Sequence, residues 1–86
     1  MAIKKMFCVR DSKASYYMAP FLAINEGIAI RNIRAAMQGD NDVSKFPEDH
    51  SVWYVGEFDD ATGKVSGCAP KHIANCVGLV QEKPEE

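Results

Sequence analysis

The sequence predicts an α+β fold in which a small antiparallel β-sheet packs against one main α-helix. Three observations carry this prediction: a continuous apolar run near the start, an apolar stripe at helical spacing, and an alternating aromatic segment followed by a turn. The chain has 86 residues, of which 47% are hydrophobic, which is enough for one small domain. We expect residues 1–81 to form that domain and residues 82–86 to be a flexible acidic tail.

The first predicted strand covers residues 3–10. Its centre, residues 6–9, is a continuous apolar run, which is typical of a strand that is buried on both faces. Residues 16–23 allow two interpretations, because their aromatic side chains favour a strand whereas Pro20 restricts that strand to a sheet edge or a bent segment.

The main helix is predicted over residues 26–38. Asn25 is a favourable N-cap, and Glu26 places a carboxylate in the first turn, where the helix dipole stabilises it. Gly39 suits the position after the last turn, and residues 40–50 are predicted to form a polar loop. The apolar residues that recur at helical spacing, and so form the face towards the core, are Ile30, Ile33 and Met37.

The second half of the chain predicts a β-hairpin. Side chains alternate over residues 51–58 as they do in a strand, and residues 59–63 have the composition of a tight turn. Residues 64–67 are predicted to return as a short strand that ends before Pro70. Residues 71–80 fit either a short helix or a final strand, because a glycine inside this run weakens both interpretations.

Charge is distributed unevenly along the chain. The formal net charge is −2, but residues 1–34 carry six basic and two acidic side chains, whereas residues 35–86 carry four basic and ten acidic ones. Such an asymmetry is a reason to consider a nucleic-acid surface, although dedicated nucleic-acid-binding domains are usually basic overall. Single-strand binders combine basic side chains that follow the backbone with aromatic rings that stack on bases. The candidates for this role are Lys4, Lys5, Arg10, Lys13, Arg31, Arg34, Tyr16, Tyr17 and Trp53.

The alternative interpretation of these residues is structural. Large aromatic side chains are usually well buried, so that Trp53 and Tyr54 would straddle the core while the basic residues form a solvated surface. Arg31 and Arg34 lie one helical turn apart, where they could reach one phosphate track together or be ordinary charges of an amphipathic helix.

No motif predicts an enzyme, a cofactor site or a metal site. The sequence lacks a nucleophile elbow and the phosphate-binding GxxxxGK[ST] loop. A zinc site from Cys68, His72 and Cys76, with Cys8 as a fourth ligand, is the alternative considered, but structural zinc ligands usually have shorter spacings. We therefore expect reduced thiols that pack as small apolar side chains. No membrane partner is expected, because the apolar runs are shorter than the roughly 20 residues that span a bilayer.

The block of residues 46–64 is the most specific part of the sequence. It contains Phe-Pro-Glu-Asp at 46–49, Gly-Glu-Phe-Asp-Asp at 56–60 and Thr-Gly at 62–63, and Phe-Cys-Val-Arg-Asp-Ser-Lys-Ala stands at 7–14. In this order and spacing, the motifs resemble the small nonstructural protein of gokushoviruses. These are microviruses, which are bacteriophages with circular single-stranded DNA. The resemblance runs over most of the chain.

The resemblance implies a phage nonstructural protein that binds single-stranded DNA and acts in viral DNA replication or in the switch to genome packaging. We expect it to work in the host cytoplasm as a homodimer, because a dimer adds buried surface to a short chain and aligns two basic faces. The alternative function is a non-enzymatic adaptor that docks a basic replication or capsid protein through its acidic C-terminal half. The acidic residues considered for this docking are Glu48, Asp49, Glu57, Asp59 and Asp60.

Overall fold

The computed structural model describes residues 3–79, which form one antiparallel sheet with a helix packed on one face. The acidic tail predicted at 82–86 lies outside the described residues. Within residues 3–79, no helix has the length and apolar character needed to cross a membrane. The elements in chain order are β1 (Ile3–Asp11), β2 (Tyr16–Tyr17), β3 (Phe21–Ala23), α1 (Glu26–Ala36), α2 (Asp42–Lys45), a 3₁₀ turn (Pro47–Asp49), β4 (His50–Asp59), β5 (Val65–Asn75) and a second 3₁₀ turn (Cys76–Leu79).

Strand β1 is the centre of the sheet. One of its edges pairs with β2 and β3, and the other pairs with β4, which in turn pairs with β5. In the antiparallel ladder between β1 and β4, Cys8 lies opposite Trp53 and Val9 lies opposite Val52. Because the side chains of directly opposed residues share a face, this register decides which residues meet on each side of the sheet.

A β-bulge interrupts β4 near its middle. Met6 pairs with Gly56 but Phe7 pairs with Tyr54, so Val55 is an extra residue opposite β1. Gly56 has a φ angle of +151°, and a Cβ atom at this position would lie 2.3 Å from a carbonyl oxygen of β5, so only glycine fits. The extra residue reverses the alternation of side chains along the rest of β4.

The core lies between α1 and the sheet face that carries Phe7, Val9 and Val52. Phe7 and Val52 are 1% and 0% exposed, and Ala29 and Ile33 of α1 pack in the same buried cluster. Burial of large apolar side chains in this layer supplies the main stabilisation of so short a chain.

Helix α1 forms where it is predicted but ends two residues earlier, at Ala36. The side-chain oxygen of Asn25 caps it by accepting a hydrogen bond from the backbone N–H of Ile28 at 2.9 Å. At the other end, the carbonyl oxygen of Ala36 accepts a hydrogen bond from the side-chain amide of Asn41 at 2.9 Å. The predicted apolar stripe packs against the core through Ile30, Ile33 and Met37.

The α+β prediction is confirmed in its broad form, a small antiparallel sheet with one main helix, but the described chain is mostly β. The main difference concerns β5, which continues through Pro70 to Asn75 instead of ending before the proline. Pro70 fits because it lies between Gly67 and Lys71, in a stretch that has no cross-strand partner on β4, where its missing N–H removes no ladder hydrogen bond.

Two other segments are more ordered than their composition indicates. The predicted polar loop at 40–50 contains α2, which begins with a capping box between Asn41 and Ser44, and then a 3₁₀ turn. Residues 16–23 form the two short strands β2 and β3 on either side of Pro20, which agrees with a segment bent by the proline.

Candidate nucleic-acid interface

The sheet has two faces of different character. Helix α1 packs on the sheet face that carries Phe7 and Val9. Because side chains alternate along a strand, the residues between them point to the opposite face of the sheet. We call that other side the open face, because most of its side chains are at least partly exposed. The open face carries Lys4, Met6, Cys8, Arg10, Tyr17, Trp53 and His72.

Three aromatic rings form a row across the open face. Trp53 of β4 lies opposite His72 of β5, and their ring centroids are 5.2 Å apart at an interplanar angle of 83°. On the other side, the Tyr17 ring of β2 meets the Trp53 ring at 6.0 Å and 81°. Both contacts have the edge-to-face geometry that aromatic pairs favour. We call these three residues the ring row.

The ring row is held in place but not covered. The indole N–H of Trp53 donates a hydrogen bond to the hydroxyl oxygen of Ser51 at 2.8 Å, so the polar group of the indole already has a partner on its own strand. Tyr17 is 40% exposed and His72 is also exposed, whereas Trp53 is half-buried between them. Base stacking needs exposed aromatic side chains, which the ring row provides at Tyr17 and His72.

Positive charge lies next to the ring row. The guanidinium carbon of Arg10 is 5.6 Å from the centroid of the Tyr17 ring, which is a cation–π contact that holds the charge at the Tyr17 end of the row. Lys4 lies on the same face, where its Nζ atom is 3.7 Å from a carboxylate oxygen of Asp60. That ion pair is partly exposed on both sides and therefore contributes little to stability.

The structure separates Tyr16 and the helix arginines from this group. Tyr16 pairs with Asp11, so its side chain points away from the face on which Tyr17 lies. Arg31 and Arg34 belong to α1, on the far side of the sheet from the ring row.

Two of the predicted lysines also lie away from the open face. Lys5 alternates with Lys4 and lines a cavity of about 190 Å³ on the helix side, together with Glu26 and Glu57. Lys13 lies in the turn between β1 and β2, where its backbone N–H donates to a carboxylate oxygen of Asp11 at 3.0 Å. Of the nine predicted residues, the open face therefore carries Lys4, Arg10, Tyr17 and Trp53.

His72 is the residue that sequence reasoning missed. The sequence suggests His72 as a zinc ligand or as a base beside a cysteine, and it leaves residues 71–80 open as a short helix or a final strand, so it does not place His72 beside an aromatic ring. Its Nε2 atom lies 2.9 Å from the side-chain oxygen of Asn75, and because an amide oxygen only accepts hydrogen bonds, Nε2 carries the proton. Recognition that β5 continues past the proline would have placed His72 opposite Trp53.

The cysteines are free thiols. Cys8 and Cys76 are buried and Cys68 is exposed. Burial raises the pKa of the Cys8 thiol and raises that of Cys76 to about 11. Within residues 3–79, no group of three or more histidine, cysteine, aspartate or glutamate side chains could hold a metal ion.

The acidic residues considered for docking a basic partner are spread over three elements. They lie in the first 3₁₀ turn, in β4 and in the hairpin turn that follows it. Asp49 lines a cavity beside the end of β1, whereas Asp60 lies beside Lys4.

Comparison with known proteins identifies a family. The family model described as Phage ORF5 protein matches residues 4–79, which include the open face and the whole buried core cluster. No curated protein and no solved structure matches the chain.

Proposed function

The chain belongs to the phage ORF5 protein family, and on this premise we propose that it binds single-stranded DNA through the open face. The observation that carries the proposal is the ring row of Tyr17, Trp53 and His72, with Arg10 placed against one end of it. Single-strand binders stack unpaired bases on such rings and hold the backbone with basic side chains. In a duplex the bases are already stacked and paired, so the rings favour single strands.

The proposed role in the phage rests on the resemblance of the sequence motifs. The sequence motifs resemble those of the nonstructural protein of gokushoviruses, which are phages with a genome of single-stranded DNA. We propose that the protein acts in the host cytoplasm, in viral DNA replication or in the switch to genome packaging. In both processes single strands are exposed, and a protein that binds them without base-specific contacts suits either.

The net charge of −2 does not oppose this proposal. Association with DNA depends on the local field of the surface that meets the phosphates. On the open face Arg10 lies beside Tyr17, whereas the charge of Lys4 is paired with Asp60. The acidic side chains that lower the total charge include Asp42 and Asp49, which line a cavity away from the ring row.

A homodimer would join two open faces into a longer binding track. The chain has a radius of gyration of 13.8 Å and extents of 47 × 31 × 19 Å. A compact domain of this length has a radius of gyration of about 12 Å. The proposed dimer rests on the short length of the chain, because a second copy adds buried surface. Light scattering coupled to size exclusion tests it, since a dimer gives twice the 9.5 kDa mass of one chain and a monomer at micromolar concentration contradicts the proposal.

The test of DNA binding uses the two neighbouring tyrosines of β2. Fluorescence anisotropy measures the affinity of the full chain for a labelled oligothymidylate, at two salt concentrations, with a duplex as comparison. Tyr17→Ala removes one end of the ring row and is expected to weaken binding by about 1–3 kcal/mol. Tyr16→Ala is the matched control, because it removes a neighbouring exposed ring that points to the other face.

The outcomes of this test are distinct. Salt-sensitive binding that prefers single strands, and that only Tyr17→Ala weakens, supports the proposal. An equal loss of DNA affinity in both variants would show that the ring row is not the binding surface. Absence of binding even at low salt would remove the proposed function.

A further inference from the structure

A cavity of about 270 Å³ lies at the end of β1, beside the turn to β2. Asp11 and His50 are paired across β1 and β4 in this region and share the face of Val9, which is the helix side of the sheet. The cavity is therefore on the side of the strands opposite to the ring row. We call it the acidic cavity, and it is lined by Asp11, Lys13, Asp42, Phe46, Asp49 and His50.

His50 has a buried nitrogen atom without a hydrogen-bond partner. The side chain is 2% exposed, and its Nδ1 atom lies 2.8 Å from the carbonyl oxygen of Phe46. Because a carbonyl oxygen only accepts hydrogen bonds, Nδ1 carries the proton in the neutral ring and Nε2 is left as a bare acceptor. Nε2 has no hydrogen-bond partner among the described residues.

The charged group that faces the Nε2 atom of His50 is the carboxylate of Asp11. A carboxylate oxygen of Asp11, Oδ2, lies 3.6 Å from Nε2, which is too long for a hydrogen bond. The other oxygen of Asp11 already accepts hydrogen bonds from the backbone N–H groups of Lys13 and Ala14, at 3.0 and 3.1 Å. The contact is an ion pair only with a protonated imidazole. With a neutral ring, Nε2 and Oδ2 are two acceptors that face each other, and an N–H group between them would satisfy both, since an unpaired buried polar atom is costly.

The charge of the acidic cavity indicates what kind of donor fits. Three carboxylates line it against one ammonium group, so its lining is net negative. A cationic ligand with several N–H groups satisfies this environment. A metal ion is not indicated, because no group of three or more suitable ligands stands together within residues 3–79.

The volume of the cavity and its aromatic wall indicate which cationic group fits best. Sites for whole small molecules usually have volumes of roughly 300–1,000 Å³, and this cavity of about 270 Å³ lies just below that range, so it suits a compact group such as the end of a side chain. Phe46 lines it and is 52% exposed, which gives a planar cation an aromatic surface to stack on. A guanidinium group is planar, always charged and carries five N–H donors, and it stacks on aromatic rings better than an ammonium group does.

We propose that the acidic cavity binds the guanidinium group of an arginine side chain presented by a basic peptide or protein. The bare Nε2 atom of His50 and the free oxygen of Asp11 accept its N–H groups, Asp42 and Asp49 supply further negative charge, and Phe46 packs on its plane. This site goes beyond DNA binding and is independent of it, because it lies on the other side of the sheet from Trp53.

The experiment titrates the full chain into a fluorescein-labelled hexa-arginine peptide and follows the anisotropy. Asp42→Asn together with Asp49→Asn removes two charges from the cavity and is expected to weaken binding at least about tenfold. Glu48→Gln together with Glu57→Gln is the matched control, because it removes two charges from exposed residues that do not line the cavity. Trp53→Ala is expected to leave the peptide affinity unchanged.

A second variant tests His50 directly. In His50→Asn, the side-chain amide can still donate to the carbonyl oxygen of Phe46, while the Nε2 acceptor is lost. We expect peptide affinity to fall by about three- to tenfold. A long-range ¹H–¹⁵N spectrum of the wild-type protein should show the Nδ1–H tautomer of His50, with an Nε2 signal that shifts when the peptide is added.

A comparison of free arginine, hexa-arginine and hexa-lysine tests whether the cavity recognises a single guanidinium group. Free arginine that competes at millimolar concentration supports a single-residue site, and a hexa-lysine peptide should bind more weakly than hexa-arginine. The proposal is overturned if the charge-matched control weakens binding as much as Asp42→Asn with Asp49→Asn, or if hexa-lysine and hexa-arginine bind equally. An unchanged Nε2 signal at saturation would also overturn it.

Discussion

Val52 and Trp53 are neighbours in β4, yet they belong to different surfaces. Val52 is 0% exposed in the core beneath α1, whereas Trp53 is half-buried on the open face, in contact with Tyr17 and His72. The alternation of side chains along a strand thus separates two tasks, since one face stabilises the fold and the other is proposed to recognise DNA. We therefore expect substitutions on the core face to lower the stability of the fold, and substitutions on the open face to lower the affinity for DNA.

The largest effect is expected in the core. Phe7→Ala removes a side chain that is 1% exposed and packs against Phe21 and Tyr54, so the free energy of unfolding should fall by about 3–5 kcal/mol. Urea denaturation followed by circular dichroism measures it. Ile24→Ala is the control, because that side chain is 70% exposed and its loss should change stability by no more than about 0.5 kcal/mol. Equal stabilities for the two variants would contradict the assignment of the core.

The next effect is on the open face. Trp53→Ala should weaken binding to oligothymidylate by about 1–3 kcal/mol while lowering stability less than Phe7→Ala does. Anisotropy and urea denaturation on the same protein sample separate the two quantities. Phe46→Ala removes an exposed ring away from the ring row and should leave the DNA affinity unchanged. A Trp53→Ala variant that binds DNA normally would break the division between the two faces.

A smaller effect distinguishes the arginines of the two sides. Arg10→Gln removes the charge beside Tyr17 and should reduce the slope of log affinity against log salt by about 0.7, the value for one phosphate contact of a single strand. Arg34→Gln makes the same charge change on α1 and should leave the slope unaltered. The reverse result would favour the helix surface as the DNA track.

The last prediction concerns the rates at which the three thiols react, which report how well each cysteine is buried. In the folded protein at about pH 8, a thiol reagent should modify Cys68 rapidly and Cys8 and Cys76 slowly, since burial raises the pKa of both and leaves little thiolate. Mass spectrometry counts the modified thiols, and Cys68→Ser should abolish the fast reaction. Rapid modification of Cys8 would show that the open face near Trp53 is less well packed than described.

The elements that sequence predicts well are those with a strong local signal. Helix α1 follows from its cap at Asn25 and its apolar period, and the hairpin turn at 59–63 follows from its composition. Strand β5 could not be predicted in full, because Pro70 is a strong local breaker, and only its place in an irregular stretch opposite β4 makes it acceptable.

The candidate site could be predicted only in part. Alternation alone shows that Tyr16 and Tyr17 point to opposite faces, but not which of them faces away from the core. Arg10, Tyr17 and Trp53 come together through the registers of β1 with β2 and with β4, which are long-range pairings that local sequence does not encode. The acidic cavity depends in the same way on the pairing of Asp11 with His50.

The most direct test of the account uses the fluorescence of the single tryptophan in the chain. Trp53 lies in the middle of the ring row, so its emission reports contact at the proposed site. Titration with oligothymidylate should change that emission in a saturable way, with the same midpoint as the anisotropy titration, and added salt should reverse the change. If anisotropy shows binding while the emission of Trp53 stays constant, the strand binds elsewhere and the account is contradicted.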